Sequence, residues 1–144
     1  MTLNALLSKF KEGGAKFYKP ASASQIDFAG ALLTNNGFAK IPSEYAKFLG
    51  ASDGMSGSLV EFFGTVAKPR DDNHYSLSTV PAAMTDFLGT AKAPDFVIIG
   101  SFPLGYVAYS QKYGRYQLLD ITSLKELAHF KSFFDVLFAL KDYV

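Results

Sequence analysis

Two histidines and a pair of adjacent acids are the residues in this sequence that are best suited to chemistry. His74 closely follows Asp71 and Asp72 in a polar stretch, and His129 lies near the carboxyl end of the chain. Two histidines with a carboxylate could hold zinc, but zinc motifs place ligands at short fixed spacings such as H-x-x-x-H, and none occurs here. The chain has no cysteine, which excludes thiolate ligands and thiol nucleophiles. We therefore predict no metal ion and no cofactor.

The stretch "GMSG" at 54–57 contains the serine that most resembles a nucleophile. It is one residue short of the G-x-S-x-G elbow, and it follows a predicted helix where the elbow requires a strand. The glycines at 50, 54 and 57 precede no long helix whose amino terminus could hold a phosphate. The sequence therefore predicts that Ser56 is an ordinary loop serine and that this stretch is not a phosphate site.

Glu61 interrupts the apolar run "LVEFF". It faces water if the run is a strand with alternating side chains, or it is a buried carboxylate with a partner and a function. We favour alternation. An alternative function stays open in the segment 65–78, where His74 with Asp71 or Asp72 could serve a small-molecule-binding or hydrolytic site.

The composition limits the possible partners. Of 144 residues, 14 are Lys or Arg and 13 are Asp or Glu, and the formal net charge is +1. Proteins that bind nucleic acid usually carry a clustered basic excess, so we expect no nucleic-acid partner. The sequence has no apolar run of roughly 18 residues and no secretory leader at its start, so we expect a cytoplasmic protein that does not bind membranes.

Five segments have helical spacing of apolar residues and suitable end signals. They run from Leu3 to Gly13, from Ser22 or Ser24 to Gly37, from Pro42 to Gly50, from Ser78 or Thr79 to Gly89, and through "FKSFFDVLFALKDYV" at 130–144. The second helix is expected to bury Ile26, Ala29, Leu32 and Leu33.

Four runs are rich in β-branched and aromatic residues. They are 58–64, "DFVIIGSF" at 95–102, "GYVAYS" at 105–110 and "GRYQLLD" at 114–120. The last three are close in sequence and separated by turn residues, which predicts an antiparallel meander. Without a linker or repeat, the sequence predicts a single α+β domain over 1–144 with helices packed against a mainly antiparallel sheet.

The terminal segment is apolar almost all round, with only a narrow polar strip. A helix of this kind cannot be half exposed in a monomer without leaving an adhesive patch. We expect it to pack across the sheet, and a homodimer through its surplus apolar surface is the alternative.

The order of these elements resembles the SUKH superfamily. "IPSEYAKFLGASDG" is similar to the family's proline-led aromatic helix and Asn/Asp-Gly turn, and a strand ending "FFG" follows. "FVIIGSFPLGYVAYS" resembles the family's strand, glycine and hairpin, and "FKSFFDVLFAL" its closing helix. The resemblance covers roughly 25–140. The signature positions are taken by Pro42, Tyr45, Phe48, Leu49, Asp53 and Gly54.

The resemblance implies a binding module and not an enzyme, because many bacterial SUKH proteins neutralise a cognate toxin by direct contact. It supplies no catalytic residues. We therefore expect an immunity-type or related regulatory protein with a protein partner. Residues with exposed charge or aromatic surface are the candidate contacts, namely Asp53, Asp71, Asp72, Tyr113 and Arg115.

Overall fold

The computed structural model of this chain describes residues 1–68, 77–88 and 95–143, with the backbone alone at 87 and 88. These residues form five α-helices and a seven-stranded antiparallel sheet. The α+β prediction is therefore confirmed. Within the described segments, no helix has the length and apolar character needed to cross a membrane.

The helices are α1 (Leu3–Glu12), α2 (Ala23–Asn35), α3 (Ser43–Ala51), α4 (Val80–Leu88) and α5 (Phe133–Leu140), followed by a short 3₁₀ turn at Lys141–Tyr143. The helices other than α3 begin where the sequence offers a capping side chain. Ser22 forms a reciprocal capping box with Gln25 at the start of α2. The Thr79 hydroxyl accepts a hydrogen bond from the Ala82 amide at the start of α4. Pro42 lies just before α3, where its missing N–H costs no hydrogen bond because the first amides of a helix have no intrahelical partner.

The strands follow one another across the sheet in chain order. They are β1 (Lys16–Phe17), β2 (Met55–Ser56), β3 (Glu61–Phe62), β4 (Phe96–Phe102), β5 (Gly105–Ser110), β6 (Arg115–Asp120) and β7 (Glu126–Phe130). Strands β4 to β6 are the predicted meander, which is confirmed.

Two predictions about the elements are wrong in detail. The run 58–64 forms only the two-residue strand β3, because Gly57 donates to the Val60 carbonyl and turns the chain there. The terminal helix begins at Phe133 and not at 130, because the backbone of 126–130 pairs with β6. His129 therefore lies in the edge strand β7.

Aromatic rings show which face of the sheet α3 and α5 cover. The Phe133 ring of α5 lies 5.2 Å from Phe62 of β3 and 5.8 Å from Tyr116 of β6, between ring centroids. Tyr45 and Phe48 of α3 each lie 5.2 Å from the same ring. We call this the inner face of the sheet. Side chains alternate along a strand, so Glu61 and Gln117, adjacent to these residues, belong to the outer face.

Candidate functional site

The outer face carries a polar cluster where β6 meets β7. The Glu126 carboxylate accepts hydrogen bonds from Arg115 Nη2 at 2.9 and 3.0 Å and from Gln117 Nε2 at 2.6 Å. His129 Nδ1 lies 2.9 Å from Glu126 Oε1. A bulge in β7 makes this arrangement possible, because Leu118 pairs with Ala128 whereas Leu119 pairs with Glu126. The extra residue turns Glu126 and His129 to the same face.

The surroundings of Glu126 determine its charge. Burial alone raises the pKa of this carboxyl, but hydrogen bonds from Gln117, Arg115 and His129 outweigh burial and hold the pKa below its usual value. Glu126 is therefore a carboxylate at neutral pH, and its oxygens hold Arg115, Gln117 and His129 in position by hydrogen bonds. This arrangement suits a fixed ion pair better than proton transfer.

Tyr113 lies beside this cluster in the turn between β5 and β6. Gly114 has a φ of +62°, which lets the chain turn there, and the Tyr113 amide donates to Ser110 Oγ at 3.1 Å. The Tyr113 residue is 60% exposed, and the guanidinium carbon of Arg115 lies 5.0 Å from its ring centroid. Lys112 Nζ lies 5.4 Å from the same ring. We call Lys112, Tyr113 and Arg115, with Gln117 and Glu126, the Tyr113 patch.

The Tyr113 patch borders an open depression of about 380 Å³. Its lining includes Lys112, Tyr113, Gln117 and Glu126 of the patch but not Arg115, and it is completed by Asp95, Phe96, Ser110, Leu119 and Leu124. The lining therefore combines apolar, charged and amide side chains, a mixture that also occurs at protein–protein interfaces. Two of the five predicted contact residues, Tyr113 and Arg115, are thus brought together here, and their role in binding stays a prediction.

The other three predicted contact residues are either outside the described residues or buried. Asp71 and Asp72 lie outside the described residues, as does His74 of the alternative site. Asp53 is 2% exposed, so it does not offer the surface charge that we expected. The prediction took Asp53 as a turn residue open to a partner, but segment 65–68 folds over it.

Asp53 forms a buried ion pair with Lys68. Its Oδ1 accepts hydrogen bonds from the Thr65 amide at 2.6 Å and the Thr65 hydroxyl at 2.9 Å. Its Oδ2 lies 2.5 Å from Lys68 Nζ and 3.2 Å from the Val66 amide. Lys68 Nζ also lies 5.3 Å from the Tyr18 ring centroid. Burial alone raises the pKa of Asp53, but the bonds from Lys68 and Thr65 outweigh it and lower the pKa.

The signature residues near Asp53 are part of the core. Tyr45, Phe48 and Leu49 are buried, and the Tyr45 hydroxyl contacts the carbonyls of Phe63 and Ile99, the latter at 3.1 Å. Burial holds the pKa of Tyr45 well above its usual value. Gly54 has a φ of +95°, and a Cβ there would lie 2.8 Å from the Phe62 carbonyl oxygen. These residues position β2 and β3 and have no free polar group for catalysis.

Glu61 fits neither of the two interpretations from the sequence, which were a carboxylate that faces water and a buried carboxylate with a partner. Alternation places it on the outer face as predicted, opposite Ser56 and Ser101 of the neighbouring strands, yet it is half buried. Burial raises its pKa, and none of the described residues donates a hydrogen bond to its carboxylate. Ser56 lies in β2, so the serine predicted for a loop belongs to the sheet.

Glu61 gives a pH prediction. Its folded pKa is raised, so the folded protein holds a proton that the unfolded chain releases above the ordinary value of 4.5, and stability falls as pH rises through this window. Glu61→Gln should remove this fall and be more stable than the wild type at neutral pH. The gain should be below about 1 kcal/mol because water screens a half-exposed charge.

Urea unfolding from about pH 4 to about pH 7 measures this effect. Glu12→Gln, at an exposed glutamate of α1, is the control and should leave the pH dependence unchanged. The prediction is contradicted if the free energy of unfolding of the wild type changes with pH in the same way as that of Glu61→Gln and rises throughout this window.

The sequence analysis missed Gln117 and Glu126, and it considered His129 only as a metal ligand and did not place it beside them. The alternation "RYQLL" could have placed Arg115 and Gln117 on one face, but residues three apart in a regular strand point to opposite faces, so Glu126 and His129 needed the bulge. Among the described residues, no group of three His, Asp or Glu side chains could hold a metal ion. The chain matches no protein-family model, and no curated protein matches its sequence.

Proposed function

We propose that this chain is a non-catalytic protein-binding module of the immunity type, which neutralises a cognate toxin in the bacterial cytoplasm through the Tyr113 patch. The observation that carries the proposal is the fixed arrangement of Tyr113 and Arg115 on the outer face. The resemblance of 25–140 to the SUKH superfamily supports the choice of partner.

The Arg115 side chain is held in one conformation in the absence of a partner. Its Nε and Nη2 are held by Glu126 at 3.3 and 2.9 Å, and its side chain is 33% exposed. An arginine held in one conformation loses little entropy when a partner docks on it. Nη1 makes no hydrogen bond with the described residues and remains available for a carbonyl or carboxylate of the partner.

Tyr113 supplies the apolar part of the contact. Tyrosine and arginine are enriched among residues that dominate binding energy, and the tyrosine ring offers a large rigid surface at a low cost in conformational entropy. The guanidinium against one side of the ring restricts its motion. Exposed Lys112 adds a positive charge next to the ring, which favours a partner surface with carboxylates.

The test uses the product of a neighbouring toxin gene as the partner. Tyr113→Ala and Arg115→Ala should each raise the Kd by at least about tenfold, measured by calorimetry, while circular dichroism stays unchanged. Leu104→Ala is the matched control, because Leu104 is 56% exposed in the β4–β5 turn and lies outside the patch. A Kd that neither patch variant alters would contradict the use of this face, and absence of any complex would contradict the proposed function.

A further inference from the structure

Glu61 is a half-buried carboxylate on the outer face that receives no hydrogen bond from the described residues. Ser56 of β2 and Ser101 of β4 are both paired with it, one on each side. Side chains paired in this way across antiparallel strands point to the same face, with their Cβ atoms about 5 Å apart. Ser56 is 6% exposed, and its hydroxyl makes no hydrogen bond with the described residues. We call Ser56, Glu61 and Ser101 the Glu61 cluster.

The Glu61 carboxylate is short of positive charge. Lys16 of β1 is paired with Ser56, but its Nζ lies 5.4 Å from the Tyr18 ring centroid. Burial raises the pKa of Glu61 with no offsetting charge, whereas hydrogen bonds lower the pKa of Glu126 on the same face. A carboxylate that is partly removed from water is stabilised by a cation that also donates hydrogen bonds. The cluster therefore favours a cationic ligand.

We infer that the Glu61 cluster binds an arginine side chain of the protein partner, an inference that rests on the proposed function. A guanidinium pairs with a carboxylate through two parallel hydrogen bonds and has further N–H groups beside them. Ser56 and Ser101 lie on either side of the carboxylate, where their hydroxyl oxygens can accept from these groups. A lysine ammonium has three donors and no planar fork, so it fits this row of acceptors less well.

The outer face connects the Glu61 cluster with the Tyr113 patch. Ser101 is paired with Tyr106 of β5, and Tyr106 is paired with Leu119 of β6, which lines the depression beside the patch. Three strand spacings across the sheet and four residues along β6 separate Glu61 from Arg115, a distance of roughly 20 Å. An interface of standard size, about 800 Å² on each partner, is wide enough to include both.

The two ends of this surface carry opposite charges. Lys112 and Arg115 favour a carboxylate of the partner, whereas Glu61 favours a cation. Opposite charges at two separate points disfavour docking in the reverse orientation, because like charges would then meet at both ends. The Glu61 cluster therefore adds specificity to the contact at the Tyr113 patch.

Exposed apolar side chains elsewhere do not specify a partner in this way. Helix α2 leaves Phe28 66% exposed and Leu32 39% exposed, so the sequence prediction that Leu32 is buried is wrong. An uncharged surface fits many occupants. A half-buried carboxylate between two hydroxyls, by contrast, selects for a cationic hydrogen-bond donor.

Calorimetry with the toxin at neutral pH tests the inference. Glu61→Gln should raise the Kd by at least about tenfold, because it removes the charge that holds the guanidinium. The same variant should be no less stable than the wild type, so misfolding would not explain the loss. Glu12→Gln, at an exposed glutamate of α1, is the matched control and should leave the Kd unchanged. An unchanged Kd for Glu61→Gln, in a complex that Tyr113→Ala weakens, would overturn the inference and leave the proposed function standing.

A second experiment uses no toxin. N-acetyl-arginine methylamide is added to the ¹³C-labelled protein, and the side-chain carboxyl resonances are followed by NMR. The resonance of Glu61 should move to saturation, that of Glu12 should not, and the corresponding lysine derivative should move the Glu61 resonance less. Equal movement of the two glutamates, or no movement of either, would overturn the inference. Absence of any toxin complex would contradict the proposed function, and this measurement would still decide whether the Glu61 cluster binds arginine.

Discussion

Asp53→Ala is expected to destabilise the protein by about 3–5 kcal/mol, because it removes one partner from a buried ion pair. The Asp53 side chain is 3% exposed and that of Lys68 is 16% exposed. Among the described residues, loss of the carboxylate leaves the Lys68 ammonium with the Val66 carbonyl and the Tyr18 ring, and it deprives the Thr65 and Val66 amides of their acceptor. Urea unfolding at neutral pH measures the change.

Asp142→Ala is the matched control for this substitution. The Asp142 side chain is 76% exposed and lies 3.8 Å from Lys9, so its loss should have little effect. The pH dependence adds a second check. The pKa of Asp53 is lowered in the folded state, so its contribution is present above the ordinary value of 3.8 and disappears as pH falls through the folded pKa. Asp53→Ala should lose this acid-dependent part of the stability.

The same variant separates an interior role from a contact role. If Asp53 touched a partner as the sequence suggested, Asp53→Ala would weaken binding while leaving the free energy of unfolding unchanged. That pattern would contradict the arrangement described here. An unstable variant whose folded fraction still binds would agree with it.

Phe133→Ala should also cost about 3–5 kcal/mol, since it leaves a cavity in the aromatic core. The Phe133 ring lies 5.2 Å from each of Tyr45, Phe48 and Phe62, and the residue is 4% exposed. It therefore joins α5, α3 and β3 at one point. Thermal and urea unfolding measure the loss.

Phe138→Ala makes the same truncation on the exposed side of the same helix. Phe138 is 43% exposed, so its truncation should cost less than about 1 kcal/mol. Equal costs at the two positions would mean that α5 does not pack with Phe133 inward. The pair of variants thus tests the orientation of the helix as well as the size of the effect.

Local signals made much of the fold predictable. Capping residues such as Ser22 and Thr79 act within one turn of their own helix, so the sequence shows them directly. The meander was predictable for a similar reason, because β4, β5 and β6 are each six or seven residues long and joined by short turns. Their β propensity and turn chemistry lie close together in the chain.

Other elements depend on contacts that are distant in sequence. Strands β1, β2 and β3 have two residues each, too few for a period-two pattern. β1 exists because Lys16 and Phe17 pair with Ser56 and Met55. Strand β7 was not predicted, and only its last residue, Phe130, lay in the predicted terminal helix; β7 forms because its backbone pairs with β6.

The fold class, the starts of all the helices except α5 and the central meander could be predicted, because they follow from spacing, capping and turn residues within a few positions. Which side chains meet depends on the tertiary structure. It buried Asp53 beneath 65–68, gathered Arg115 and His129 around Glu126 through a bulge, and left Phe28 exposed. Burial and pairing of this kind depend on how separate elements pack together, so no local pattern reports them.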